Sequence, residues 1–125
     1  MKRMMIALTT ALATALAAYA AEPAKVMDSS AGKVWADSAG KTLYTFDKDG
    51  AGKTNCYDVC AKNWPPFEAD AAAAAEGEWT LVDRKDGARM WAYEGHPLYT
   101  YIGDKAAGDV NGDGKGGVWH VARVD

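Results

Sequence analysis

The chain has 125 residues, with 17 acidic against 14 basic side chains, a net charge of −3 and a mean hydropathy of −0.28. That is enough chain for one domain around a single core. An acidic surface without a basic patch argues against nucleic acid and against anionic lipid as partners.

Lys2 and Arg3 open the chain, an apolar stretch runs from Met4 to Ala18 with only Thr9, Thr10 and Thr14 inside it, and Ala18-Tyr19-Ala20 follows as a small-x-small exit. These are the three parts of a secretory signal. The run is shorter than the about 20 apolar residues a membrane span needs and ends in no stop-transfer charge cluster. The expectation is a signal peptide over residues 1–20, with cleavage after Ala20 or, as the alternative, after Ala21. The mature protein then has no transmembrane span and is exported, to the periplasm or alternatively to the medium. Loss of Lys2 and Arg3 leaves 12 basic against 17 acidic residues, a net of −5.

Residues 21–32 are polar, with Pro23, Ser29, Ser30 and Gly32, and read as a flexible leader. A single β domain is expected over 33–125. Lys33–Asp37 and Thr42–Phe46 are strands about a Ser38–Lys41 turn, and Asp47–Lys53 is a loop. Cys56–Trp64 suits a short helix stopped by Pro65-Pro66. Ala71–Ala75 stays open between a short surface helix and a loop, because five alanines make barely more than one turn. Trp79–Arg84 and Ala88–Tyr93 are strands joined through Lys85-Asp86-Gly87. Glu94–Pro97 turns, Leu98–Ile102 is a strand, Gly103–Gly117 is a long polar loop, and Val118–Val124 is the last strand.

Cys56 and Cys60 are the only cysteines. In an oxidising compartment they pair with each other, and the Cys-x-x-x-Cys spacing fits one helical turn or a tight loop. A bridge that short fixes a local loop and stabilises little beyond it.

The segment Gly40–Asp49 aligns with Gly95–Asp104 without a gap at an offset of 55 residues, and each copy has Trp-Ala upstream, Trp35-Ala36 and Trp91-Ala92. Two such units suggest pseudo-twofold packing of hairpins that share one core. The duplicated Tyr-x-aromatic-x-x-Asp motifs are Tyr44-Phe46-Asp49 and Tyr99-Tyr101-Asp104. Between them lies Cys56-x-x-x-Cys60-Ala61-x-x-Trp64-Pro65-Pro66, and after them Gly112-x-Gly114 and Trp119-His120-Val121. Together these resemble a bacterial secreted-repeat family of unknown function, predicted lipoproteins with that tyrosine–aspartate motif. The resemblance spans about Val34 to Val124 and implies the fold but no activity. This sequence departs from it in having no cysteine near the cleavage site to carry a lipid, and in having Met90 where similar sequences have glutamine.

Tyr44 and Phe46 share one strand face, as do Tyr99 and Tyr101. They either pack the core while Asp49 and Asp104 cap the following turns, or form a paired aromatic–acidic ligand site. Asp109-x-Asn111-x-Asp113-Gly114 opens like a calcium loop, but the twelfth position is His120 rather than a bidentate glutamate and no helices flank it. Cys56, Cys60, His96, His120 and Met90 are the candidate soft-metal ligands, with copper as the ion. Thiol redox work usually employs Cys-x-x-Cys, so the extra residue counts against it. Nucleophile-elbow and phosphate-loop signatures are absent.

The sequence thus predicts an all-β, mostly antiparallel sandwich or barrel of roughly six or seven strands, built from two repeated hairpin units with a disulfide-bearing helix or loop. The expected function is a non-enzymatic monomeric envelope module that binds an unidentified ligand or partner, or has a structural role. The alternative is a periplasmic copper-binding or thiol-redox protein. No cofactor is firmly implied beyond the candidate copper or calcium ion.

Overall fold

A computed structural model describes residues 22–124, so the signal-peptide segment 1–20 lies outside the described residues. Seven strands appear among them: β1 (Lys25–Ser29), β2 (Gly32–Ala36), β3 (Tyr44–Phe46), β4 (Trp79–Asp83), β5 (Arg89–Tyr93), β6 (His96–Pro97) and β7 (Trp119–Val121). One five-residue helix, α1 (Val59–Asn63), and a 3-10 turn over Lys115–Gly117 complete them. Every ladder is antiparallel, in three small sheets ordered β1-β2, β3-β7 and β4-β5-β6.

The hairpins form where turn chemistry and alternation agree. Along β5, Met90 and Ala92 are buried while Arg89, Trp91 and Tyr93 are partly exposed, the period of two that a strand imposes. Glu94 and Gly95 both have positive φ, 51° and 83°, the backbone of a two-residue turn that matches strand twist, and they join Tyr93 to its partner His96. Lys85-Asp86-Gly87 turns as expected, with the Arg84 N–H bonded to the Ala88 carbonyl at 2.8 Å.

The segment 21–32, expected as a flexible leader, instead holds β1, paired with β2 from Lys25↔Ala36 to Ser29↔Gly32. The folded unit therefore begins near residue 25 rather than at 33. Residues 71–75 form a turn and loop, not a helix. Leu98–Ile102 makes only single bridges, Tyr99 to Tyr44 and to Pro66, rather than a ladder. The cause is its neighbour Trp64-Pro65-Pro66: the Pro65 and Asn63 carbonyls accept from Thr100 and Ile102 at 2.9 and 3.1 Å, but the two prolines have no N–H to return.

The two halves are related by a pseudo-twofold through the Tyr44–Tyr99 bridge. The Tyr44 N–H donates to the Tyr99 carbonyl at 2.7 Å, and the Tyr99 N–H to the Tyr44 carbonyl at 3.0 Å. Further out, Ala122 donates to Leu43 at 2.8 Å and Phe67 to Leu98 at 2.9 Å, while Leu43 donates to Trp35 at 2.9 Å and Leu98 to Trp91 at 3.0 Å.

Consecutive residues on these segments enter different apolar clusters. Val34, Tyr44, Tyr99 and Val121 belong to one, and their chain neighbours Trp35, Leu43, Leu98 and Ala122 to the other. Side chains alternate across a strand, so the central segments are covered on both faces.

Candidate functional site

The repeated motif meets itself across the pseudo-twofold. The Tyr44 hydroxyl donates to Asp104 Oδ2 at 2.7 Å, and the Tyr99 hydroxyl donates to Asp49 Oδ2 at 2.6 Å. Each tyrosine thus bonds the aspartate of the other half. Each aspartate also holds its own loop: Asp49 Oδ1 accepts the Asn55 N–H at 2.7 Å and Asp104 Oδ1 the Asn111 N–H at 2.9 Å. Each tyrosine oxygen also meets a second group, the Gly112 N–H donating to Tyr44 at 3.2 Å and the Thr54 hydroxyl lying 2.6 Å from Tyr99.

Burial, then the Asp104 carboxylate, pushes the Tyr44 hydroxyl far above its ordinary value, and burial with Asp49 does the same to Tyr99. Both stay protonated and donating. The pairs differ in exposure. Asp104 is 3% exposed, whereas Asp49 is half-buried. Desolvation raises Asp49 above the usual carboxylate value, against the pull of the Tyr99 and Asn55 hydrogen bonds and of Arg84 and His96.

Beside these pairs, four rings stack in the order Phe46, Trp119, Trp64, Tyr101, with centroid separations of 4.1, 3.8 and 4.3 Å. Phe46 corresponds to Tyr101 and Trp64 to Trp119, so the stack also obeys the twofold. The inner tryptophans lie 2° from parallel. A Cβ at Gly112 would come 2.6 Å from the Trp64 ring and 3.1 Å from Tyr101, which explains the glycine there.

Cys56 and Cys60 form a disulfide with a Cα separation of 5.2 Å. Cys60 lies in α1 and Cys56 just before it. Arg84, which sequence reasoning did not single out, fastens this loop to the second half. Its side chain is 1% exposed. It donates to the Cys56 carbonyl at 2.9 Å and to both Asp86 oxygens, and its guanidinium lies 4.4 Å from the Tyr57 ring centroid. The Arg84 hydrogen bonds in turn hold Asp86 below the usual carboxylate range. An Arg-Lys-Asp-Gly turn gives no sign of which cation will be buried.

The metal candidates do not assemble. The cysteines are paired with each other, so neither offers a thiolate. The Met90 sulfur is buried and lies 3.9 Å from Arg84 Nη1. His120 bonds Asp47 at 2.8 Å on the surface, and His96 lies with it along one groove. In the calcium-like loop, Asp109 Oδ2 accepts the Lys105 and Ala106 N–H groups, both at 2.9 Å, Asp113 Oδ1 accepts from Val121, and the Asn111 amide donates to Gly103. The side chains close turns rather than face a common point. The two backbone N–H groups also hold Asp109 below its ordinary value. Among the described residues, no group of three or more His, Cys, Asp or Glu side chains could hold a metal ion.

A cleft with several aromatic residues along one face lies apart from these groups. With a volume of about 540 Å³, it opens between the start of the described chain, the Glu76-Gly77-Glu78 turn and the β4–β5 face, with Glu22, Glu76, Glu78, Trp79, Trp91 and Tyr93 along it. That volume lies in the range of small-molecule sites. The Trp79 indole N–H donates to Glu22 Oε2 at 3.3 Å. Trp35 backs the wall, its ring centroid 5.0 Å from Trp79 and 5.2 Å from Tyr93. Its indole nitrogen is the one buried side-chain polar atom among the described residues without a partner. Sequence reasoning noted Trp79 and Tyr93 as strand residues and Trp91 as a strand residue and repeat marker, none of them as a ligand-binding residue. The available signal was Glu-Gly-Glu-Trp, carboxylates set beside an aromatic on a hairpin.

A family model described as a secreted repeat of unknown function matches the chain twice, over residues 25–68 and 80–123. The two matches are 55 residues apart, the offset that relates Tyr44 to Tyr99 and Trp64 to Trp119. The first begins at β1, in agreement with the fold. No curated protein and no solved structure matches the chain. The chain belongs to this family of secreted repeats.

Proposed function

We propose that this secreted-repeat protein is a non-enzymatic binding module of the cell envelope, monomeric, and that it takes a small organic ligand in the cleft walled by Trp79, Trp91 and Tyr93. One observation carries the reading: this cleft combines three aromatic residues with three acidic ones along its lining, whereas the Tyr44 and Tyr99 hydroxyls and the Asp49 and Asp104 carboxylates are occupied with each other. Export through cleavage of residues 1–20 and residence in the periplasm complete the proposal. The charged start, apolar centre and Ala18-Tyr19-Ala20 exit support it, and the mass of the mature protein tests it.

A crystallographic fragment screen tests the binding site directly. Fragments lying against Trp79 and Trp91 are expected. Fragments that gather only elsewhere would sink this reading. Metal handling, the second reading, keeps one support, that His96 and His120 border the same groove. Titration with Cu²⁺ tests it, and equal binding by a His96→Ala/His120→Ala variant would end it.

A further inference from the structure

We infer that the ligand of the cleft is an organic cation, a small quaternary or alkylated ammonium group; this rests on the cleft being a ligand site at all. Three acidic residues, Glu22, Glu76 and Glu78, line the cleft together with the aromatic Trp79, Trp91 and Tyr93, and no lysine, arginine or histidine lines the space. Carboxylates create a negative potential, and aromatic faces add the negative side of their quadrupoles. Both favour a cation and reject an anion.

Neither Glu76 nor Glu78 is spent in an ion pair, since the pairs among the described residues are Lys33–Asp28, Arg84–Asp86, Arg89–Asp83 and His120–Asp47. A bare metal ion suits the site poorly. The carboxylates do not gather as a metal-binding group, and the walls between them are indole and phenol rings. An alkylated ammonium is weakly hydrated and broad, and it presents methyl groups to the rings while its charge stays near the carboxylates. Glu76 and Glu78 are exposed on a hairpin turn closed by the reciprocal Glu76–Trp79 backbone bonds, 2.9 and 3.0 Å, so their side chains can be changed without disturbing the fold.

The test is calorimetric titration of the mature protein with choline and, in parallel, with 3,3-dimethyl-1-butanol, its neutral isostere. Choline is expected to bind at least tenfold more tightly, to weaken with added salt, and to lose that advantage in a Glu76→Gln/Glu78→Gln variant of unchanged melting temperature. Equal binding of the two compounds overturns the cation while leaving the cleft in place. So does absence of choline binding when neutral fragments occupy the cleft in crystals. If no fragment enters the cleft and neither compound binds, both the cation and the cleft fall together.

Discussion

The two halves of this molecule are alike at the centre and unlike at the rim. At the pseudo-twofold, Tyr44 and Tyr99 exchange backbone bonds, each hydroxyl reaches the other half's aspartate, and Phe46, Trp119, Trp64 and Tyr101 stack as a symmetric column. At the rim, only the first half carries a disulfide, and only the second half's hairpin walls the aromatic cleft. A duplicated unit keeps in common what must pack against its own copy. Residues that do not face the axis are free to differ, and there a ligand site can arise on one side alone.

Several changes would sharpen or break that division. Trp119→Ala removes an inner ring of the stack and opens a cavity in the shared core; the expected cost is about 3–5 kcal/mol. For a domain of this size that corresponds to a fall in melting temperature of roughly 12–40 °C, readable by calorimetry. A fall of only a few degrees would mean that the stack is peripheral.

Tyr44→Phe and Tyr99→Phe then separate the two equivalent pairs. The first strands the buried Asp104 carboxylate and the Gly112 N–H, at a cost of about 3 kcal/mol by chemical denaturation. The second takes a partner from the buried Thr54 hydroxyl, which keeps its contacts to Arg84 and the Cys56 N–H, and exposes the half-buried Asp49 to water that can replace the lost donor, at about 1–2 kcal/mol. Equal costs would show that burial does not distinguish the halves.

Reduction of the Cys56–Cys60 bridge frees a loop of very few residues and should cost about 2 kcal/mol on a chain-entropy estimate. Retained melting cooperativity in reductant would agree with a local role.

The smallest effect is one of sign. Asp49 is raised in the folded state, so it stabilises at acid pH and that contribution is lost as pH rises from the unfolded value through the folded one. Asp86 is lowered by Arg84, so its contribution is present above the unfolded value and lost as pH falls through the folded one. Across the same acid-to-neutral range, Asp49→Asn should gain on the wild type as pH rises and Asp86→Asn should lose ground. Parallel curves in urea denaturation would contradict the assignment.

How much of this was legible beforehand follows from the residues themselves. The β4–β5 hairpin was readable because Trp79–Asp83 and Arg89–Tyr93 flank an Asp-Gly turn, and the repeat because Leu-Tyr-Thr-aromatic recurs intact. Strand β1 was not, since Lys25–Ser29 has no fully buried residue and so no apolar alternation to read. Leu98–Ile102 looked like a ladder strand because its own residues favour one, while the obstacle, Pro65-Pro66, lies more than 30 residues earlier in the chain. The cleft was hidden for a related reason. It is assembled from Glu22, a turn and two strands, and only folding brings those carboxylates to the rings.

The division between a holding centre and a binding rim is tested most directly by following the five tryptophan indole N–H signals in a ¹⁵N–¹H spectrum during a choline titration. The signals of Trp79 and Trp91 should shift and saturate, while Trp64 and Trp119 stay in place. Movement of Trp64 and Trp119 with Trp79 and Trp91 unchanged would contradict the account.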